Sequence, residues 1–302
     1  MYGSLPLTSD RVRISVVVPA MNEARNLPHV FAALPANLHE VILVDGNSAD
    51  DTVSVAQALR PDVIVIRQTR RGKGNALACG FAVATGDIVV MIDADGSTDP
   101  AEIPNFVTAL LRGADFAKGT RFGPGAGSSD ITRLRRCGNK VLNVLVNGMY
   151  GTRFTDLCYG YNAFWTRCLP VLDLDPRSTP GEGPDGRRWG DGFEIETLIN
   201  IRVAAAGLRI EEVPSFEHHR IHGVSNLSAV SDGLRVVRTI LSERRQARSS
   251  TRPIVLPIAH QRSTPSPTVI DLTTGPAGKG HVVARELDRS LSAPSASKPA
   301  AG

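Results

Sequence analysis

The sequence predicts an α/β fold, a mostly parallel sheet flanked by helices, and three observations predict it. Residues 14–19, 41–45, 63–67 and 88–93 are short β-branched runs, continuously apolar rather than alternating, as in parallel strands buried on both faces. The stretches between them, 27–34, 51–59 and 74–84, have helical spacing and can serve as the crossovers that parallel strands require. Polar clusters then follow the runs directly, at the strand ends where open sheets of this kind bind ligands. These clusters are Pro19-Ala20-Met21-Asn22-Glu23, Asp45-Gly46-Asn47-Ser48 and Asp93-Ala94-Asp95-Gly96-Ser97.

Helix starts are expected at Ser48 with Asp51 and at Asp99-Pro100 with Glu102, both of which resemble capping boxes; Pro104 speaks against the second. Further on, the pattern predicts a strand over 115–120, a Gly-rich loop over 123–127 and a helix over 132–149. A second loop over 178–190 should lead into a helix over 193–206 and a strand over 209–213. No internal repeat is evident.

The expected organisation is an arm over 1–11, one domain over 12–245 and a tail over 246–302. The tail is rich in Pro, Ser, Thr and Ala, a composition that predicts disorder. The whole basic surplus lies there. The formal charge is +4, but from Gln246 onward there are 7 Lys/Arg against 3 Asp/Glu, which leaves 27 of each sign before it. With a neutral body and no reading module, nucleic acid is not an expected partner.

Cys79, Cys137, Cys158 and Cys168 have no C-x-x-C and no paired metal spacing, so neither a disulfide framework nor structural zinc is expected. No apolar run approaches the roughly 18 residues that span a bilayer, and the start lacks the order of a signal peptide. The expected location is the cytoplasm; a lipid substrate would be met peripherally, at the inner face of the membrane.

Asp93 and Asp95, one residue apart at the end of a buried run, suit a hard divalent cation such as Mg²⁺ or Mn²⁺, which takes one or two carboxylates plus phosphate oxygens and water. A cation there would neutralise a departing diphosphate. Asp45 can receive hydrogen bonds from a base or ribose, or cap the following helix. Glu23 can serve the same pocket or a first helical turn. Arg70-Arg71-Gly72-Lys73-Gly74 forms a basic, Gly-flanked turn in which Lys73 can meet phosphate; it lacks the spacing of a Walker A loop.

In this order the segments resemble glycosyltransferase family 2, with a GT-A, Rossmann-like fold, closest to the dolichyl- or polyprenyl-phosphate mannosyltransferase branch. The carriers are VVVPAMNE (16–23), LVDGNSADDT (43–52), RRGKGNAL (70–77), GDIVVMIDADGSTDP (86–100), KGTRF (118–122), TDLCYGYNAF (155–164), GFEIE (192–196) and EVPSFEHHRIHGVSNL (212–227). The resemblance implies that Pro19, Met21, Glu23, Val44 and Asp45 line a nucleotide pocket and that Asp93 and Asp95 hold the metal. It also implies that Arg121 and Arg220 meet phosphates, with Arg135, Arg136 and Asn139 near the acceptor. The chain departs from the mannosyltransferases at Ser97 (often Gln), Asn226 (Lys) and Gly46-Asn47 (Asp-Gly), so the donor can be GDP-mannose or a UDP- or TDP-hexose.

A sugar hydroxyl acceptor needs a general base, for which Asp191 or Glu194 is available, with an N-cap ahead of Phe193 as the alternative role of Asp191. A phosphate acceptor is already ionised and needs positive charge instead, available at Arg133, Arg135 and Arg136, unless these form a solvated helix face. His218 and His219 can belong to the site or be structural. The favoured expectation is an inverting transfer to polyprenyl phosphate. The alternatives are a small phosphorylated or sugar hydroxyl acceptor, as in glucosyl-phosphoglycerate synthases, and a non-catalytic sugar-nucleotide-binding protein. The sequence does not predict the oligomeric state.

Overall fold

A computed structural model of the chain describes residues 12–177, 188–223 and 229–249. The expected arm, the loop positions 178–187, Asn226 and the tail from 250 lie outside the described residues. Seven strands form one sheet in the order β3-β2-β1-β4-β7-β5-β8. The first four are β1 (Ile14–Ala20), β2 (Glu40–Asp45), β3 (Ile64–Arg67) and β4 (Ile88–Met91), all mutually parallel where they pair. Helices α1 (Leu27–Ala33), α2 (Thr52–Leu59) and α3 (Lys73–Val83) connect them as expected.

The continuous apolar runs are explained by burial on both faces. Val16 and Val18 of β1, Val41 and Leu43 of β2, and Ile88 and Val90 of β4 belong to one core cluster; Val17, Ile42, Val44, Val89 and Met91 point into the other. Each such side chain contributes about 1.5–3 kcal/mol by leaving water. α3 lies so close to the sheet that a Cβ on Gly80 would come within 2.4 Å of Val17 Cγ1. The outer half of the fold adds α4 (Ile103–Leu111), β5 (Phe116–Thr120), β6 (Gly127–Ser128), α5 (Arg133–Tyr150), β7 (Asn162–Trp165) and α6 (Leu169–Leu172). It ends with α7 (Ile195–Ala205), β8 (Ile210–Pro214), β9 (Phe216–Glu217) and α8 (Ala229–Ser249). A third apolar cluster joins α5, α7 and α8 through Val146, Ile201, Val236 and Ile240.

Four details differ from expectation. β7 was not anticipated: it runs antiparallel between β4 and β5, which makes the sheet mixed at that point. Ser48 does not cap α2; its hydroxyl accepts from Asn22 N at 3.0 Å, while Asp50 Oδ1 accepts from Thr52 N at 3.1 Å. Asp99 does cap, accepting from Ala101 N at 2.9 Å, but Glu102 turns away to accept from Phe216 N at 3.0 Å, and Pro104 fits in the first turn of α4, where no donor is needed. The helix α8 continues through the expected boundary at 245.

All four cysteines are free. Among the described residues no helix is long and apolar enough to cross a membrane.

Candidate active site

β4 ends at Met91, and the chain beyond it carries Asp93 and Asp95 into a cleft of about 480 Å³. Lys73, Ser97, Arg121, Arg135, Asn139 and Arg220 also line this cleft, together with Asp130, Tyr159, Glu196 and Glu217. Residues far apart in sequence are drawn here by backbone pairing. His218 N donates to Ser97 O at 2.9 Å and Ile221 N to Asp95 O at 3.1 Å, so the 218–221 segment lies along the acidic loop. Gly96 makes this approach possible: its φ is +78°, and a Cβ there would fall 2.5 Å from Ile221 Cδ1.

Each of the two aspartates faces its own cation. Asp95 meets Arg220 Nη2 at 2.7 Å, and the same guanidinium donates to Glu23 at 3.0 Å. Asp93 meets Lys73 Nζ at 2.6 Å, and the same ammonium donates to Glu196 at 2.7 Å. Two chains of alternating charge, Glu23–Arg220–Asp95 and Asp93–Lys73–Glu196, thus meet at the cleft. Burial pulls the Lys73 ammonium down, but the carboxylates of Asp93 and Glu196 outweigh it and hold it firmly protonated. Burial raises Glu23 above the usual carboxylate range, against the opposing pull of Asn26 and Arg220. The backbone of Gly160 approaches so closely that a Cβ there would lie 2.5 Å from Glu196 Oε1.

Pro19, Met21, Val44 and Asp45 gather at the neighbouring strand ends. Pro19 pairs in register with Val44, and Ala20 with Asp45. The side chain of Met21 is 42 % exposed, whereas Asp45 is buried and accepts from Ser48 N at 3.1 Å, so it closes the turn after β2. Glu23 links this edge to the cleft through Arg220. Asn22 and Asn47, with φ of 61° and 68°, make the left-handed turns after β1 and β2.

Several expected residues have partners that define them differently. Arg121 donates to Asp156 at 2.7 and 2.9 Å and to Glu217 at 3.0 Å, so it knits the end of β5 to two other segments while lining the cleft. Asn139 is buried, donating to Asp156 at 3.0 Å and accepting from Cys158 N at 3.3 Å, which makes it a brace within the cleft wall. Arg135 interacts with Asp130 at 3.3 Å at the mouth, and Arg136 lies over the Phe122 ring at 5.8 Å. His219 Nδ1 stands 3.5 Å from Asp130.

Asp191 does not line the cleft. It is buried, receives Arg70 Nε at 2.8 Å and Nη2 at 2.7 Å, and accepts from Arg188 N at 2.7 Å. A carboxylate paired with a buried guanidinium and set back from the cleft is not placed to take a proton from a hydroxyl bound there. Glu194 is likewise buried, accepting from Gly192 N at 3.2 Å.

Sequence reasoning left Glu196, Asp156, Asp130 and Glu217 without roles. A signal existed for Glu196: it is the one charged residue in the start of α7, IETLINI, where burying a charge demands a partner. Cys158 also lines the cleft, but burial pushes its thiol up to about 12, which makes it a poor nucleophile.

The donor set fits a hard divalent cation. Asp93 and Asp95 are 29 % and 13 % exposed in their side chains and open on the cleft. Among the described residues no third His, Cys, Asp or Glu completes a cluster with them, and a site of this kind takes its remaining oxygens from phosphate and water.

Known proteins resemble the chain in sequence and fold. An uncharacterized glycosyltransferase of Mycobacterium tuberculosis is 34 % identical over 71 % of this chain and 89 % of its own. An undecaprenyl-phosphate mannosyltransferase of Micrococcus luteus is 32 % identical over 75 % of this chain and 92 % of its own. Glucosyl-3-phosphoglycerate synthase from Mycobacterium tuberculosis, solved with Mn²⁺, UDP-glucose and phosphoglyceric acid, superposes with a TM-score of 0.59 at 25 % identity, covering 78 % of this chain and 80 % of that one. The family model for glycosyl transferase family 2 matches residues 15–169, the span that runs from β1 through the paired aspartates to β7. The fold is therefore of GT-A type, and the chain belongs to glycosyl transferase family 2.

Proposed function

We propose that the chain transfers a hexose, with inversion, from a nucleoside-diphosphate sugar to a polyprenyl phosphate. The observation that carries this reading is the pair of charge chains that meet at the cleft, in which both candidate metal ligands are held by cations that are themselves suited to phosphate. Asp93 and Asp95 would hold Mg²⁺ or Mn²⁺, which supplies charge neutralisation for the diphosphate leaving group.

Lys73 and Arg220 stand beside these carboxylates and turn to the diphosphate oxygens when donor arrives, while Glu196 and Glu23 keep the two cations in place. Pro19, Met21 and Asp45 form the rim that receives the nucleoside, with Val44, fully buried in the core, packed beneath it. Arg135 on the opposite wall meets the acceptor phosphate. That acceptor is ionised near neutrality, so no side chain need take its proton.

The second reading, transfer to a small phosphorylated hydroxyl acceptor, is favoured by the likeness to glucosyl-3-phosphoglycerate synthase. Its base would have to be a carboxylate at the cleft, such as Asp130, since Asp191 is engaged with Arg70. The two readings separate in one assay. Purified chain with Mn²⁺ is offered radiolabelled GDP-mannose, UDP-glucose or TDP-glucose, with polyprenyl phosphate or phosphoglyceric acid as acceptor. Label in the organic phase supports the first reading; label only in the aqueous product overturns it in favour of the second.

A further inference from the structure

Helix α5 has one buried face, formed by Asn139, Asn143 and Val146, and one unpartnered apolar face. Leu134, Val141 and Val144 stand 67 %, 63 % and 67 % exposed. They recur with exposed Cys137 at spacings of three, four and seven, so they form a single stripe along a helix about 27 Å long. Arg133, Arg136 and Lys140, all exposed, fall on one flank of that stripe, and the helix sequence contains no acidic residue at all. The adjoining α8 adds Leu234 and Leu241, 60 % and 45 % exposed, with exposed Arg238 and Arg245 near them in the helical turn. An apolar stripe flanked by cations of one sign is the composition of a helix that lies in a lipid interface.

We infer that the exposed face of α5 docks the protein on an anionic lipid surface. Charge selects this occupant over a second copy of the chain. Two such faces in contact would bring their unbalanced cations together, whereas anionic headgroups complement them. Placement agrees. Leu134, Arg135, Gly138 and Leu142 of the same helix wall the cleft, so a surface bound to this face lies beside the cleft mouth. A phosphate on a lipid chain then reaches the cleft without leaving the interface. The purpose of the face rests on the lipid-acceptor reading; its existence does not.

The test is flotation of the full chain with vesicles of phosphatidylcholine alone or with roughly a third phosphatidylglycerol, in the absence of donor and acceptor. The expected result is binding to the anionic vesicles only, weakened roughly tenfold or more by the combined Leu134→Glu, Val141→Glu and Val144→Glu variant and unchanged by Leu111→Glu on α4. Arg133→Glu with Lys140→Glu, on exposed positions that leave the packed face untouched, should weaken it comparably. Circular dichroism establishes that each variant is folded. Equal binding by the wild type and both α5 variants overturns the inference. So does a dimer in light scattering that the α5 changes split. Transfer to detergent-dispersed polyprenyl phosphate without vesicle binding sinks the docking face alone, and vesicle binding without such transfer sinks the acceptor reading alone.

Discussion

Replacing Asp191 by Asn separates a structural carboxylate from a catalytic one. The side chains of Asp191 and Arg70 are 4 % and 5 % exposed and meet through two hydrogen bonds, at 2.7 and 2.8 Å. The amide keeps the shape but removes the charge, which leaves a buried guanidinium facing a neutral group. Removing one partner of a buried pair costs about 3–5 kcal/mol. Arg70 also donates to Asp175 O at 2.9 Å, and the amide oxygen still accepts, so the low end, about 3 kcal/mol, is expected. For a domain of this size that corresponds to a fall of roughly 6–12 °C in Tm. Thermal and urea unfolding measure it, and turnover is measured well below the transition. Turnover should change no more than a few-fold. An unchanged Tm with a loss of about 100-fold or more in kcat would restore Asp191 as a base and refute this reasoning. Arg70→Leu combined with Asp191→Leu should recover much of the loss, because no unpaired charge remains.

Three further outcomes are expected. Burial pushes the carboxyl of Asp156 up, but Arg121 overcomes this and holds it below the usual range of 3.8; its contribution is present above that value and is lost as pH falls through the lower folded value. Urea unfolding from pH 7 to pH 2.5 should therefore show a flatter acid limb in Asp156→Asn than in wild type, and parallel limbs would contradict this. Gly74→Ala should destabilise by about 2 kcal/mol or more, read by urea unfolding, since its Cβ would lie 1.7 Å from Gly190 O and force the start of α3 away from the 190–191 segment. Glu196→Gln loosens Lys73 and should lower turnover by about tenfold to 100-fold with the fold intact by circular dichroism; wild-type turnover would remove Glu196 from the site.

The inner half of the fold was legible because its strands are buried on both faces: a run such as Val16-Val17-Val18 has no polar alternative. The position of Asp93 and Asp95 followed from the same logic, as residues just past a buried run. β7 was not legible, since Asn162-Ala163-Phe164-Trp165 is short, begins on a polar residue and takes its place only by inserting antiparallel between β4 and β5. Local signals also failed where a tertiary partner outbid them. Glu102 had the spacing of a capping box, yet the backbone of Phe216 offers it a donor from across the fold. Asp191 looked like a base or a cap because Arg70 lies far away in sequence, and only the close docking of the Gly72 and Gly74 backbone against the 190–191 segment brings them together. The charges of the cleft were visible singly; their order in two chains is a property of the folded chain.

The account depends most on Asp93 and Asp95 holding a divalent cation together with a nucleoside diphosphate. Calorimetric titration of GDP and UDP into the full chain, with and without Mn²⁺, measures this directly, using wild type and the Asp93→Asn/Asp95→Asn variant. The account predicts that Mn²⁺ tightens binding of one of the two nucleotides by roughly tenfold or more in wild type and leaves the variant unaffected. Binding indifferent to Mn²⁺ in wild type, or equally responsive to it in the variant, would contradict it.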